Sequence, residues 1–128
     1  MKETGKKGMC DFMTANQMID SLDERHRKSI RYALQKIETQ YADDIRRVVL
    51  FGSCARRTQK YESDVDLLLY VRSDLAEETA RQLKFGLSPE NFELPEVQGI
   101  VSRSDTLPMI RQFTENIKKE GIVIWEKN

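Results

Sequence analysis

Hydrophobic residues change their spacing several times along this chain, and each change marks an element. From about Thr14 to Tyr41, Ile30, Ala33, Leu34, Ile37 and Tyr41 recur at three- and four-residue intervals with charges between them, the stripe of an amphipathic helix. Asp23, just after Ser21, is placed to restart that helix. Arg46 to Phe51 then becomes apolar at every position through Val48-Val49-Leu50-Phe51 and closes on Gly52, the pattern of a strand covered on both faces. Ser53 to Arg57 predicts a short helix and Thr58 to Ser63 a polar connection. A second buried-strand run, Val65 to Val71, follows with Asp64 and Asp66 at its start.

Beyond it, Asp74 with Glu77 three residues on predicts a capped helix through Leu75, Ala76, Thr79, Ala80 and Leu83, ended by Gly86. Ser88-Pro89-Glu90-Asn91 is a turn. Glu96 to Ser102 is a third strand, fixed at its start by Pro95 and weakened by Gly99. Asp105 to Lys119 predicts a helix with Leu107, Ile110, Phe113 and Ile117 on one face, capped by Gly121, before a last strand at Ile122-Val123-Ile124-Trp125. The sum is an α/β (α+β) fold: a small mixed sheet of about four strands, helices packed mainly on one face, and a site at the opposite, open edge. The short connection between the first two strands makes them neighbours. Residues 1–12 read as a flexible tail and 13–128 as one domain.

Composition narrows the field. A chain of 128 residues, 39% hydrophobic and 33% charged, suits one compact domain with a modest core. Its 21 basic and 21 acidic residues cancel, which argues against nucleic acid as a main partner. Cys10 and Cys54 have neither metal-ligand spacing nor a disulfide framework, which suits a reducing cytoplasm. No apolar run has the length of a membrane span, and the first residues lack the apolar centre of a secretory signal, so the expectation is a cytoplasmic protein without a membrane partner.

The chemistry lies where the first two strands begin and end. A glycine after a buried strand lets backbone approach a ligand closely, and Ser53 offers a hydroxyl and an amide to phosphate oxygens. By itself, Gly52-Ser53 is a common dipeptide. Asp64 and Asp66 alternate by two and so face one side of their strand, placing two like charges beside an apolar layer. That arrangement is unfavourable unless cations neutralise it, and oxygen-only ligands suit Mg2+ or Mn2+ held with substrate phosphates. A solvated strand start, with Asp64 capping the turn, is the bland alternative.

Gly52-Ser53, ten intervening residues and Asp64-x-Asp66 form a G-S-x10-D-x-D pattern that resembles the signature of the DNA polymerase beta nucleotidyltransferase superfamily. The fuller pattern, Leu50-Phe51-Gly52-Ser53-x-Ala55-Arg56 and Ser63-Asp64-Val65-Asp66-Leu67, is similar to its small stand-alone members, the minimal nucleotidyltransferases. The likeness is specific over Val48 to Tyr70, and the Gly121 to Trp125 ending resembles their last strand. It implies that Gly52 and Ser53 hold the β- and γ-phosphates of a nucleoside triphosphate and that Asp64 and Asp66 bind the divalent metals. It also implies transfer of a nucleoside monophosphate to a hydroxyl, with pyrophosphate leaving. Two metals about 3.5–4 Å apart stabilise attacking and leaving oxygens together in such reactions. Arg56, Arg57 and Lys60 are candidate cationic contacts to the triphosphate, although solvated surface positions are an equal reading. Arg57 stands where family members often have glycine. Several such proteins pair with a helical HEPN-domain protein as an antitoxin, and some adenylylate that partner.

The family uses a third carboxylate on the next central strand, as metal ligand and proton acceptor. Alignment through Asp105 and Leu107 puts Gln98 there, and a neutral amide cannot be the base. Glu96, two residues earlier on the same face, is the candidate substitute. Two readings follow: a Mg-dependent enzyme acting on a partner protein, or a non-catalytic member that binds nucleotide and metal or neutralises a partner. A small-molecule modifier would need an acceptor-binding domain, which a homodimer could supply. His26, the sole histidine, is expected at the surface, Trp125 and Tyr70 in packing, and Phe85 and Phe92 have no spacing that requires a nucleotide between them.

Overall fold

The computed structural model describes residues 14–103 and 111–127, with the side chains of 111–114 and 116 outside the described set. Its elements run α1 (Ala15–Asp20), α2 (Glu24–Gln40), β1 (Ile45–Phe51), α3 (Ser53–Arg56), β2 (Val65–Val71), α4 (Glu77–Phe85), β3 (Val97–Ser102), α5 (Arg111–Glu120) and β4 (Ile122–Glu126). The expected tail at 1–12 and the expected start of the last helix at Asp105 lie outside the described residues, as do Leu107 and Ile110.

The four strands form one mixed sheet in the order β3-β2-β1-β4. β1 runs antiparallel to β2 and β4, while β2 and β3 are parallel and joined by the α4 crossover. The predicted α/β fold is thus the observed one. Alternation along the strands divides the apolar residues into two layers. Val48 and Leu50 of β1, Val65, Leu67, Leu69 and Val71 of β2 and Ile124 of β4 join Met18, Ile19, Ile30, Ala33, Ile37 and Leu83 from α1, α2 and α4. Among the described residues the opposite layer is smaller: Val49, Leu68 and Tyr70 beneath Ile117 of α5, with Phe51 and Ile100 packed against it. Helices therefore pack mainly on one face.

The breaks between elements follow local chemistry. Thr14 caps α1 in a reciprocal pairing with Gln17, and Asp23 starts α2 by accepting from the His26 amide at 3.1 Å. The restart expected at Asp23 is thus observed, with two helices meeting at Ser21 to Asp23. Asp74, by contrast, is not a cap: the cap position falls two residues later, at Ala76, and Asp74 lies in a turn 3.8 Å from Arg72. Burial of Leu75 fixes the approach to α4, and Glu77 and Glu78 supply negative charge to its first turn. Gly99 sits inside β3 because a Cβ there would lie 2.5 Å from the Leu83 carbonyl of α4, so the glycine that weakens the strand lets the crossover helix close on it. Among the described residues no helix is long and apolar enough to cross a membrane.

Candidate functional site

The sheet register gathers the candidate residues at one end. Phe51 pairs with Asp66 across β1 and β2, and Asp66 pairs with Gln98 across β2 and β3. Asp64 directly precedes β2, and the Gln98 amide Nε2 donates to its Oδ2 at 2.9 Å. Gln98 thus lies beside Asp66 on the neighbouring strand, with its amide on Asp64.

Gly52 follows the last residue of β1 with φ 77° and ψ −156°, a conformation open to glycine. It also lies so close to β2 that a Cβ would stand 2.6 Å from Asp66 Oδ2. Any other residue here would be strained in its backbone and would push the carboxylate aside. Ser53 then opens α3, a single turn whose Arg56 amide donates back to the Gly52 carbonyl. Arg57 ends that turn at φ 60°, the left-handed conformation that glycine adopts without strain.

Electrostatics single out Asp66. Burial, and after it the neighbouring Asp64 carboxylate, raise its pKa above the ordinary carboxylate value, while Arg56 partly offsets this. A cation at this end of β2 would remove the conflict, and the half-buried carboxylate pair has the hard oxygen donors that Mg2+ prefers. Among the described residues no three His, Cys, Asp or Glu side chains cluster as a closed cage. The donor set fits an ion that draws its remaining ligands from water and phosphate.

The other candidates divide. Arg56 is close enough to influence Asp66, and its guanidinium is paired with Glu120 at the end of α5, 3.0 Å away. Glu96 has an exposed side chain and joins this end through its backbone, accepting from the Val65 amide at 2.9 Å. Arg57 is exposed at the end of α3. Lys60 lies apart, lining a cleft with Asp23, His26, Gln59 and Tyr61 at the start of α2. Phe85 and Phe92 are exposed, and Tyr70 is buried under α5. Trp125 packs at the core margin and donates from Nε1 to Glu38 at 2.8 Å. Cys54 is buried beneath α3, and burial, reinforced by Asp23 and Asp66, pushes its thiol up to about 12, which leaves it unreactive.

His26 overturns its expected surface position: it is 1% exposed. The charged neighbours in sequence lie on the solvent side of α2, whereas His26 turns inward toward Asp23 and the Ser63 carbonyl. The partner that buries it is 37 residues away in sequence, beyond the reach of helical periodicity.

A search of the curated proteins and of the solved structures found no match to this chain. The family model described as "Polymerase beta, Nucleotidyltransferase" matches residues 33–128, which includes the sheet and every candidate site residue. The chain belongs to the polymerase beta nucleotidyltransferase family.

Proposed function

We propose that this protein is a Mg2+- or Mn2+-dependent minimal nucleotidyltransferase that moves a nucleoside monophosphate from a nucleoside triphosphate to a hydroxyl on a partner protein. The observation that carries this reading is the backing of Gly52 against Asp66, with Asp64 beside it, at one end of β2. Asp64 and Asp66 are the residues that would hold the metal. A bound divalent ion would supply charge neutralisation and polarisation of the phosphoryl oxygens. The chain's own contribution is placement: Gly52 lets the backbone approach the triphosphate, Ser53 offers its hydroxyl and amide, and Arg56, exchanged from Glu120, adds a positive charge. In the reaction the bond from the α-phosphorus to the bridging oxygen breaks and pyrophosphate leaves. The acceptor oxygen bonds to that phosphorus and releases its proton, and Glu96, exposed just before β3, is the carboxylate proposed to take it. The acceptor proposed is a helical HEPN-type protein, which would make this chain antitoxin-like.

A second reading has its own observation. Gln98 is neutral, and its amide is turned as a donor to Asp64, which suits a site that binds nucleotide and metal without turnover. Half a turn of the amide would present its oxygen instead.

Labelled ATP, CTP, GTP and UTP, incubated with the protein, Mg2+ or Mn2+ and its genetically neighbouring protein, separate the two. Transfer that vanishes in the Asp64→Ala, Asp66→Ala double variant supports the enzyme. Nucleotide binding with no transfer to any acceptor supports the binding protein. Gln98→Asp should raise transfer, and no gain would count against Gln98 as the third-ligand position.

A further inference from the structure

The start of α2 holds both segments that lead into the site. His26 Nδ1 faces the two Asp23 carboxylate oxygens at 2.9 Å, and its Nε2 faces the Ser63 carbonyl at 2.8 Å. A carbonyl only accepts, so the contact to Ser63 is a donation from the ring Nε2. Asp23 also accepts from Gln59 Nε2 at 2.8 Å, so one carboxylate ties the cap of α2 to both the histidine and the connection before β2. Burial opposes ionisation of Asp23, but the hydrogen bonds from Gln59 and His26 outweigh it and hold the carboxyl well below its usual range.

One helical turn serves the second segment. Arg25 donates from Nε and Nη2 to the Glu93 carbonyl at 3.0 and 2.8 Å, and from Nη1 to the Tyr61 carbonyl at 2.7 Å, with its guanidinium 3.6 Å from the Tyr61 ring centroid. Ser29, fully buried, donates to the Pro95 carbonyl at 2.7 Å. Residues 25, 26 and 29 share one face of the helix. That face therefore grips the chain one residue before Asp64 and at the residue before Glu96, within three of Gln98.

We infer that His26, anchored by Asp23 and Gln59, is a positioning residue that fixes the Ser63 carbonyl and thereby the placement of Asp64 in the metal-nucleotide site. The inference rests on the function proposed above. His26 itself touches no carboxylate of the site. Its action passes through one backbone unit, and such supporting contacts change metal affinity by about 10–100-fold in other sites.

Two substitutions separate positioning from mere packing. A Gln amide reaches the place of imidazole Nε2 and keeps the donation to Ser63, whereas an Asn amide reaches only the place of Nδ1 and keeps the contact with Asp23. His26→Asn should bind Mn2+ about tenfold more weakly, read from the electron paramagnetic resonance of free Mn2+, and should exchange amide hydrogens faster over residues 60–66. His26→Gln should stay within about twofold of the native protein in both measurements, although both variants lose melting temperature. Equal behaviour of the two variants in affinity and exchange overturns the inference. Gln59→Ala, which alters a half-buried loop residue outside the core, should shift both readouts in the direction of His26→Asn if the histidine variants fail to fold, and unchanged readouts there overturn it too. Absence of Mn2+ binding by the native protein overturns the metal reading. The hold on Ser63 is then judged by exchange alone, and native-like exchange in His26→Asn removes it as well.

Discussion

The two faces of β2 are made by one strand under opposite demands. Val65, Leu67, Leu69 and Val71 point to a layer covered by helices and are fully buried. Asp66, Leu68 and Tyr70 point the other way, where the apolar group among the described residues is small: Val49, Leu68, Tyr70 and Ile117, with Ile100 and Phe51, the cross-strand partner of Asp66, packed against it. The first row gives the fold its stability. The second gives up part of that apolar burial to keep two like charges at the end of the strand. A sheet with a thick core on one side can tolerate an electrostatically unfavourable site on the other, because the two costs fall on different rows.

The sharpest way to break this contrast is to remove apolar volume from the covered face. Leu67→Ala should cost about 4 kcal/mol of stability in a urea titration, since the surrounding side chains belong to α2, α4 and the sheet and cannot all collapse. A loss under about 1 kcal/mol would show the main layer to be loosely packed. Gly52→Ala attacks the other face: the glycine-only conformation adds about 1–3 kcal/mol of strain, and the new methyl displaces Asp66. This variant should lose Mn2+ binding while still folding, and retained affinity would mean that Gly52 does not back the carboxylate.

Asp66→Asn tests the stored conflict directly. A raised carboxylate pKa in the folded state means that its favourable contribution is present in acid and is lost as pH rises above the ordinary aspartate value and through the raised one. The metal-free Asn variant should therefore melt a few degrees above the native protein at neutral pH, with the gap closing in acid. Mn2+ should reverse the order by stabilising only the native protein. The smallest effect is expected at Arg57, where glycine would relieve the left-handed strain. Arg57→Gly should change stability by about 1 kcal/mol or less and should be better tolerated than Arg57→Ala; a preference for alanine would refute the strain.

The local parts of this protein were readable because they depend on near neighbours in sequence. The apolar runs of β1 and β2, the restart of the helix at Asp23, the glycine turn and the two-residue spacing of Asp64 and Asp66 all follow from strand and helix periodicity. Gln98 was singled out only through the family resemblance, aligned on Asp105 and Leu107, whereas its place beside Asp66 is set by the register of β3 against β2. The Asp74 cap was misplaced because two residues of slack let Leu75 choose its burial before the helix began.

By itself, then, the sequence determined the order of strands and helices, the family signature and the carboxylate pair, all written in periods of two to four residues or a fixed ten-residue gap. Only the tertiary structure decided that His26 would be buried against Ser63, that Arg56 would pair with Glu120 across 64 residues, and that Lys60 would line a separate cleft. Those outcomes depend on which distant surfaces meet. A polar side chain takes whichever partner the packed helices and loops bring within about 3 Å, and no local pattern encodes that choice.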